Sequence, residues 1–222
     1  MPLLSFTEEN YLKAIYTIQY REDKGEVSVN EIAERMHTRP ATVTDMLRKL
    51  SEKKLIAYEK YKKLSLSPRG LKIVLEIVRK HRLWETFLHD TLHFSWDEVH
   101  EVAEELEHIH SQKLIDRLDT FLGHPKFDPH GDPIPDAKGE LPEASTLRLA
   151  DAPLQKTYRI VAVRDTSSSF LQQLEKMHLA IGTTVTVTER MPFDNSNTVK
   201  TAKQKQLMLS EKIAMNILVK AV

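Results

Sequence analysis

The 222 residues carry 32 Lys+Arg against 32 Asp+Glu, so a formal net charge of zero names no partner, and the lack of cysteine excludes disulfides and thiolate metal sites. No apolar run approaches the roughly 20 residues of a membrane span, and the N-terminus lacks a signal-peptide pattern. A soluble, cytoplasmic protein of two or three small domains is expected.

The first helix is expected from Thr7 as N-cap, with Phe6 and Tyr11 as a hydrophobic staple and Tyr11, Leu12, Ile15, Tyr16 and Ile18 as its apolar face. Gly25 ends the connection. Ser28-Val29-Asn30-Glu31 is a capping box, which starts a second helix through Ile32, Ala33 and Met36. Pro40 stands where a first helical residue belongs, opening a third helix whose buried side is Val43, Met46, Leu47 and Leu50. Two short helices and a third with polar residues at its start make a helix-turn-helix pattern. Residues 55–66 then read as two short strands around a basic tip, the wing of a winged helix, with Tyr58 and Tyr61 as strand packing. Ser67-Pro68 caps a long helix running from Arg69 toward His81.

Charge is unevenly spread. Residues 38–63 hold eight basic and three acidic side chains, whereas residues 81–120 hold three basic and ten acidic. A basic segment followed by an acidic, histidine-bearing one suits polyanion binding in the first and cation binding in the second. On the third helix Arg39, Thr42, Thr44 and Asp45 are placed to meet base edges, while Lys49, Lys53 and Lys54, with Lys60, Lys62 and Lys63 on the wing, meet phosphates. The plainer alternative is an ordinary amphipathic surface helix.

The stretch from His81 to His110 reads as two helices, the second started by the Ser95/Glu98 capping box. His100, Glu104, Glu107 and His108 fall at i, i+4, i+7 and i+8 and share one stripe, and His81 and Glu85 are one turn apart. Neutral imidazole and carboxylate are ligands for divalent Mn, Fe, Co, Ni and Zn. A solvated acidic helix is the plainer alternative, and two phased sets of ligands weigh against it. The stripe is no zincin H-E-x-x-H, and Glu105-x-x-His108 lacks the second such pair that a ferritin-like di-iron site needs.

Leu114, Ile115, Leu118 and Leu122 continue an apolar stripe suited to a subunit interface. The Pro/Gly-rich stretch from Phe127 to Pro153 reads as a linker, with His124 and His130 as loop residues. From Thr157 the period changes to two. Residues 158–163, 184–188, 206–209 and 217–219 read as strands, 169–174 as a short helix, and the whole as a small β-barrel.

Tyr11-Leu12, Ile15-Tyr16, Thr42-Val43, Ser67-Pro68-Arg69-Gly70, the His81 to His108 ligand pattern and Gly131-Asp132-Pro133-Ile134-Pro135 together resemble the diphtheria-toxin-repressor family of iron- and manganese-dependent transcriptional regulators. The resemblance implies a mainly α protein. A winged helix-turn-helix would occupy residues 1–72, a helical metal-binding and dimerisation domain 73–140, a linker 141–153, and an SH3-like, FeoA-type β-barrel 154–222. It places Asn10, Glu104, Glu107 and His108 in an activating metal site. His81, Glu85 and His100 fall in an ancillary one, with Asp165 as a further donor.

Glu104 stands where iron-type members carry sulfur, which points to Mn2+, with Fe2+ as the alternative. Asn10 stands where the family has Asp or Met, and Lys13 where shorter manganese-type proteins have a second carboxylate, so two separate sites are expected rather than one paired cluster. The implied protein is a homodimeric, metal-activated repressor of metal-uptake genes that binds a palindromic operator in double-stranded DNA, without membrane association or catalysis. A metal-dependent enzyme built on the Glu/His stripe, and a DNA-binding regulator with a non-metal effector, are the alternatives.

Overall fold

The structure is a computed structural model that describes residues 4–21, 27–57, 64–143 and 145–222. Tyr58, Tyr61, Lys60, Lys62 and Lys63 of the expected wing, and Gly25, lie outside the described residues. The chain divides into two compact units, the first comprising residues 1–81, 107–110 and 135–140, the second residues 82–106, 111–134 and 141–222.

The first unit begins with α1 (Phe6–Tyr16) and a π-turn (Thr17–Arg21). The cap of α1 is Ser5, not Thr7: the Ser5 hydroxyl accepts the Glu8 N–H, and the Glu8 carboxylate accepts the Ser5 N–H, so the S-x-x-E spacing selects the start. Phe6 is thereby drawn into the first turn. The same reciprocal bond between Ser28 and Glu31 starts α2 (Val29–Arg35), as the sequence indicates. His37 takes a left-handed φ of 48° in the turn that follows, and Pro40 is the first residue of α3 (Pro40–Glu52). Strands β1 (Ile56–Ala57) and β2 (Ser65–Leu66) pair antiparallel, giving the base of the expected wing.

Helix α4 (Pro68–Asp90) starts with the Ser67 hydroxyl accepting the Gly70 N–H. Gly70 has a packing reason to be glycine: a Cβ there would stand 1.9 Å from the Leu55 carbonyl oxygen. The core holds Leu12, Ile15, Ile32, Val43, Leu47, Leu50 and Val74 at full burial. Each such side chain contributes roughly 1.5–3 kcal/mol relative to exposure. These residues are the apolar faces of α1, α2, α3 and α4, which leaves the opposite face of α3 in solvent.

In the second unit, the rest of α4 is followed by α5 (Val99–Leu106) and α6 (Gln112–Phe121). Strands β3 (Leu147–Arg148), β4 (Thr157–Val163), β5 (Thr184–Arg190), β6 (Asn197–Thr201), β7 (Leu207–Leu209) and β8 (Ile217–Ala221) make one antiparallel sheet, ordered β3-β8-β4-β5-β6-β7. Helices α7 (Ser168–Lys176) and α8 (Glu211–Met215) cover it.

The expected barrel is therefore corrected to an open sheet. The edge strands β3 and β7 are two and three residues long and do not pair with each other. With this sheet beside its eight helices, the described chain is only roughly mainly α. The expected linker is also shorter than its composition suggests. Phe127 bridges Pro133, and Leu147–Arg148 joins the sheet as β3. No helix among the described residues is long and apolar enough to cross a membrane.

Candidate metal centres and nucleic-acid interface

In the first unit, α1 and the turn after α5 bring carboxylates and imidazoles together. Glu9 lies on the inner side of α1, where its Oε2 accepts the His108 Nδ1–H at 2.6 Å. With Nδ1 so committed, neutral His108 carries its lone pair on Nε2, which stands 3.9 Å from Glu107 Oε1. Phe6 stacks on the imidazole with a centroid separation of 4.3 Å.

Glu107 is completely buried. Its Oε2 accepts from His81 Nδ1 at 2.7 Å and Lys13 Nζ at 2.6 Å, while its Oε1 accepts no hydrogen bond. Burial alone would raise the Glu107 pKa, but the His81 bond and the Lys13 charge prevail and hold the carboxyl below its ordinary value. Asn10 Oδ1 is likewise buried without a donor. Two buried oxygens without donors, and an imidazole nitrogen that can accept, could each help to hold a cation, since leaving such atoms unpaired costs about 1–3 kcal/mol each. Burial lowers the Lys80 pKa against the pull of Glu9, Glu107 and Glu76.

The second unit repeats the arrangement. His100 Nδ1–H donates to Glu85 Oε1 at 3.1 Å, and its Nε2 faces Glu104 Oε1, one turn along α5, at 3.6 Å. His81, expected beside Glu85 and His100, turns its Nδ1 to Glu107. Asp165 accepts the Ser167 N–H at 2.9 Å and caps the approach to α7.

Beside Glu85 lies a group that the sequence reading missed. His130 is 1% exposed, donates Nε2–H to the Trp96 carbonyl at 2.6 Å, and stacks on the Trp96 ring. Its Nδ1 is 3.7 Å from Glu85 Oε2. Asp128 Oδ1 accepts the N–H groups of His130 and Asp132, both at 2.9 Å, so an Asx turn buries what composition assigns to a loop. The signal was Asp-x-His-Gly-Asp: Gly131 has φ +83°, and a Cβ on it would stand 2.0 Å from the Val161 carbonyl.

Arg82 stands 3.6 Å from Asp128 and donates to the Pro133 carbonyl. Burial, followed by the charges of Asp132 and Glu85, pushes the Asp128 carboxyl up to about 8. Burial would lower His130, but the Glu85 carboxylate and Asp128 prevail and raise it to about 9. Protons thus take up the excess negative charge of this pocket when nothing else does.

On α3, Arg39, Thr42, Asp45 and Lys49 are exposed, as reading DNA requires. The Thr44 hydroxyl donates to the Pro40 carbonyl, and Asp45 pairs with Arg48. Lys53 is held by Glu8 at 2.5 Å, while Lys54 is exposed. Arg39 caps α3 without a side-chain hydrogen bond.

Three family profiles match in chain order. They are the iron-dependent repressor N-terminal DNA-binding domain over residues 3–64, its metal-binding and dimerisation domain over 67–136, and the FeoA domain over 147–221. The iron-dependent repressor IdeR of Mycobacterium tuberculosis (strain ATCC 25618 / H37Rv) is 31% identical over 163 residues, 70% of either chain. The chain belongs to the diphtheria-toxin-repressor family. Family members are metal-dependent DNA-binding transcriptional repressors rather than enzymes, and manganese and iron both fit the family. The repressor is also 37% identical over 114 residues to the transcriptional regulator MntR of Geobacillus kaustophilus, covering 51% of this chain and 79% of that one. A solved manganese-dependent transcriptional repressor in complex with manganese superposes with a TM-score of 0.88 at 33% identity, over 97% of this chain and all of that one. The manganese regulator SloR superposes with a TM-score of 0.80 at 32% identity, over 97% and 98% of the two chains.

Proposed function

We propose that this repressor is cytoplasmic and is activated by Mn2+, with Fe2+ as the alternative ion, to bind a palindromic operator as a homodimer and silence metal-uptake genes. The observation that carries the reading is the Glu9–His108 bond, which leaves His108 Nε2 as an acceptor in the unit where Glu107 Oε1 and Asn10 Oδ1 lack donors. Asn10, Glu107 and His108 would hold the activating ion, with Glu104 one turn before Glu107 as the further carboxylate. His100, Glu85 and His81 would hold an ancillary ion, and Asp165 is a candidate donor from the C-terminal domain. The set is rich in oxygen with one or two imidazoles, which suits Mn2+ and Fe2+; thiolate-preferring ions have no Cys to take.

The chain's own residues supply the coupling. Asn10 and Glu9 sit on α1, whose Leu12 and Ile15 pack in the same core as Val43, Leu47 and Leu50 of α3. An ion held by α1 therefore selects one placement of the reading helix, and only a difference in ion affinity between placements drives the switch. Leu114 and Phe121 of α6 are 39% and 67% exposed, apolar surface suited to a two-fold partner that sets half-sites about 34 Å or a multiple apart.

Operator affinity measured in Mn2+, in Fe2+ and in chelator tests the reading. Removing the ion is expected to weaken binding about 5- to 150-fold. Equal affinity in all three would favour a regulator with a non-metal effector. Lys49→Ala is expected to weaken all sequences alike and lower the salt slope by about 1, whereas Thr42→Ala relaxes sequence preference. A sequence-selective loss in Lys49→Ala would move that lysine from the phosphates to the bases.

A further inference from the structure

Glu85 offers two carboxylate oxygens, and the ancillary reading uses only the side facing His100. Its Oε1 accepts the His100 Nδ1–H, while Oε2 points to His130 Nδ1 at 3.7 Å, beyond hydrogen-bond distance. His130 gives its Nε2–H to the Trp96 carbonyl, so in the neutral ring Nδ1 carries the lone pair. That is how metal-ligating histidines are held, with the remote N–H given to a carbonyl or carboxylate. An ion between the two atoms would take the place of the proton that otherwise lies there. Two ligand atoms about 2.0–2.2 Å from one ion stand roughly 3–4 Å apart, which matches the separation.

Asp128 supplies the third donor. One ligand atom each from Glu85, Asp128 and His130 lies within 4.8 Å of the other two, and all three residues are buried. Asp128 Oδ1 is committed to two backbone N–H groups. Its Oδ2 is buried and accepts no hydrogen bond, although Arg82 Nε stands 3.6 Å away. Arg82 lies against the two aspartates, 3.6 Å from Asp128 Oδ2 and 4.0 Å from Asp132 Oδ2.

We infer that Glu85 Oε2, Asp128 and His130 Nδ1 form a divalent-cation position of their own, distinct from the one at His100. Two carboxylates and one imidazole suit Mn2+, Fe2+, Co2+ or Zn2+. The position has a structural consequence. Trp96, which fixes His130, packs against the core of the C-terminal sheet, and the His130 carbonyl accepts the Val163 N–H of β4 at 2.9 Å. Gln172 of α7 donates to Asp97 at 2.8 Å, and the Ser168 hydroxyl to the Asp97 carbonyl at 3.2 Å. An ion at His130 would therefore tie α4 to the sheet domain, giving that domain a part in metal sensing.

The test is the number of Co2+ ions bound per full-length chain, counted by equilibrium dialysis without DNA, so that it stands or falls apart from metal-activated DNA binding. Asp128→Asn keeps the Oδ1 acceptor and with it the Asx turn, and His130→Gln removes the imidazole. Each variant is expected to lose one equivalent, with the remaining ions bound within about twofold of wild type. The dependence of stability on Co2+ should fall in parallel, since an ion that binds only the folded chain stabilises it by mass action. An unchanged count in Asp128→Asn overturns the inference. So does an unchanged count with a weakened remaining site, because His130 would then only orient Glu85 for His100.

Discussion

His108→Ala is expected to abolish metal-activated operator binding while the chain still folds. The imidazole is tied to Glu9 by a 2.6 Å bond and presents Nε2 toward Glu107 Oε1. Alanine removes the nitrogen donor and leaves Glu9, which is 5% exposed, without that donor. Such an orphaned acceptor costs about 1–3 kcal/mol, enough to lower the melting temperature but not to unfold a domain with the first unit's core. Ion affinity should fall by more than the roughly 10- to 100-fold that loss of an outer hydrogen-bond partner costs. Glu9→Gln supplies the comparison, because it keeps an acceptor for Nδ1–H without the charge, and its loss should stay inside that range. Isothermal titration with Mn2+, read beside operator affinity, separates the two variants. Metal-activated DNA binding within about twofold of wild type in His108→Ala would remove His108 from the site.

What the sequence discloses depends on whether a feature is local. Ser28-x-x-Glu31, Pro40 and Ser67 mark their helix starts because capping is settled within one turn. The stripe His100, Glu104, Glu107, His108 is legible for the same reason, since helical periodicity puts it on one face. Glu9 is not, because a carboxylate in a first turn has a sufficient local explanation in the helix dipole, and its bond to His108 spans 99 positions. His130 is hidden by its surroundings: proline and glycine read as solvent-exposed linker until the Asp128 turn and the approach of Gly131 to β4 bury it.

In the sheet, β6 escapes a search for alternating apolar residues. Its buried side chains include Asn197, Thr198 and Thr201, and Asn197 is satisfied by Arg190 and the Asn195 carbonyl. Strand order is likewise non-local, so period-two patterning gives the strands but not whether the sheet closes.

Lys13 carries the second large expected effect. Its ammonium stands 2.6 Å from Glu107 Oε2, with the lysine side chain 16% exposed and the carboxylate fully buried. In the metal-free chain the His81 hydrogen bond and the Lys13 charge together compensate Glu107, with the Lys80 charge near them. Lys13→Met keeps most of the aliphatic stem and removes the charge. His81 still holds the carboxylate, so the loss stays below the about 3–5 kcal/mol of a buried charge stripped of every partner, and the metal-free variant should melt below wild type.

The ion should then bind more tightly, because it no longer shares Glu107 with an ammonium. At an effective dielectric near 20, two unit charges about 4 Å apart interact by roughly 4 kcal/mol. A tightening of about 10- to 100-fold is expected after solvent and side-chain relaxation take their share. Mn2+ should accordingly restore more stability to Lys13→Met than it adds to wild type, by the linkage of binding to folding. Calorimetric titration and melting with and without Mn2+ measure both. Weaker binding in Lys13→Met would mean that the ammonium instead orients Glu107, holding Oε2 so that Oε1 is presented to the ion.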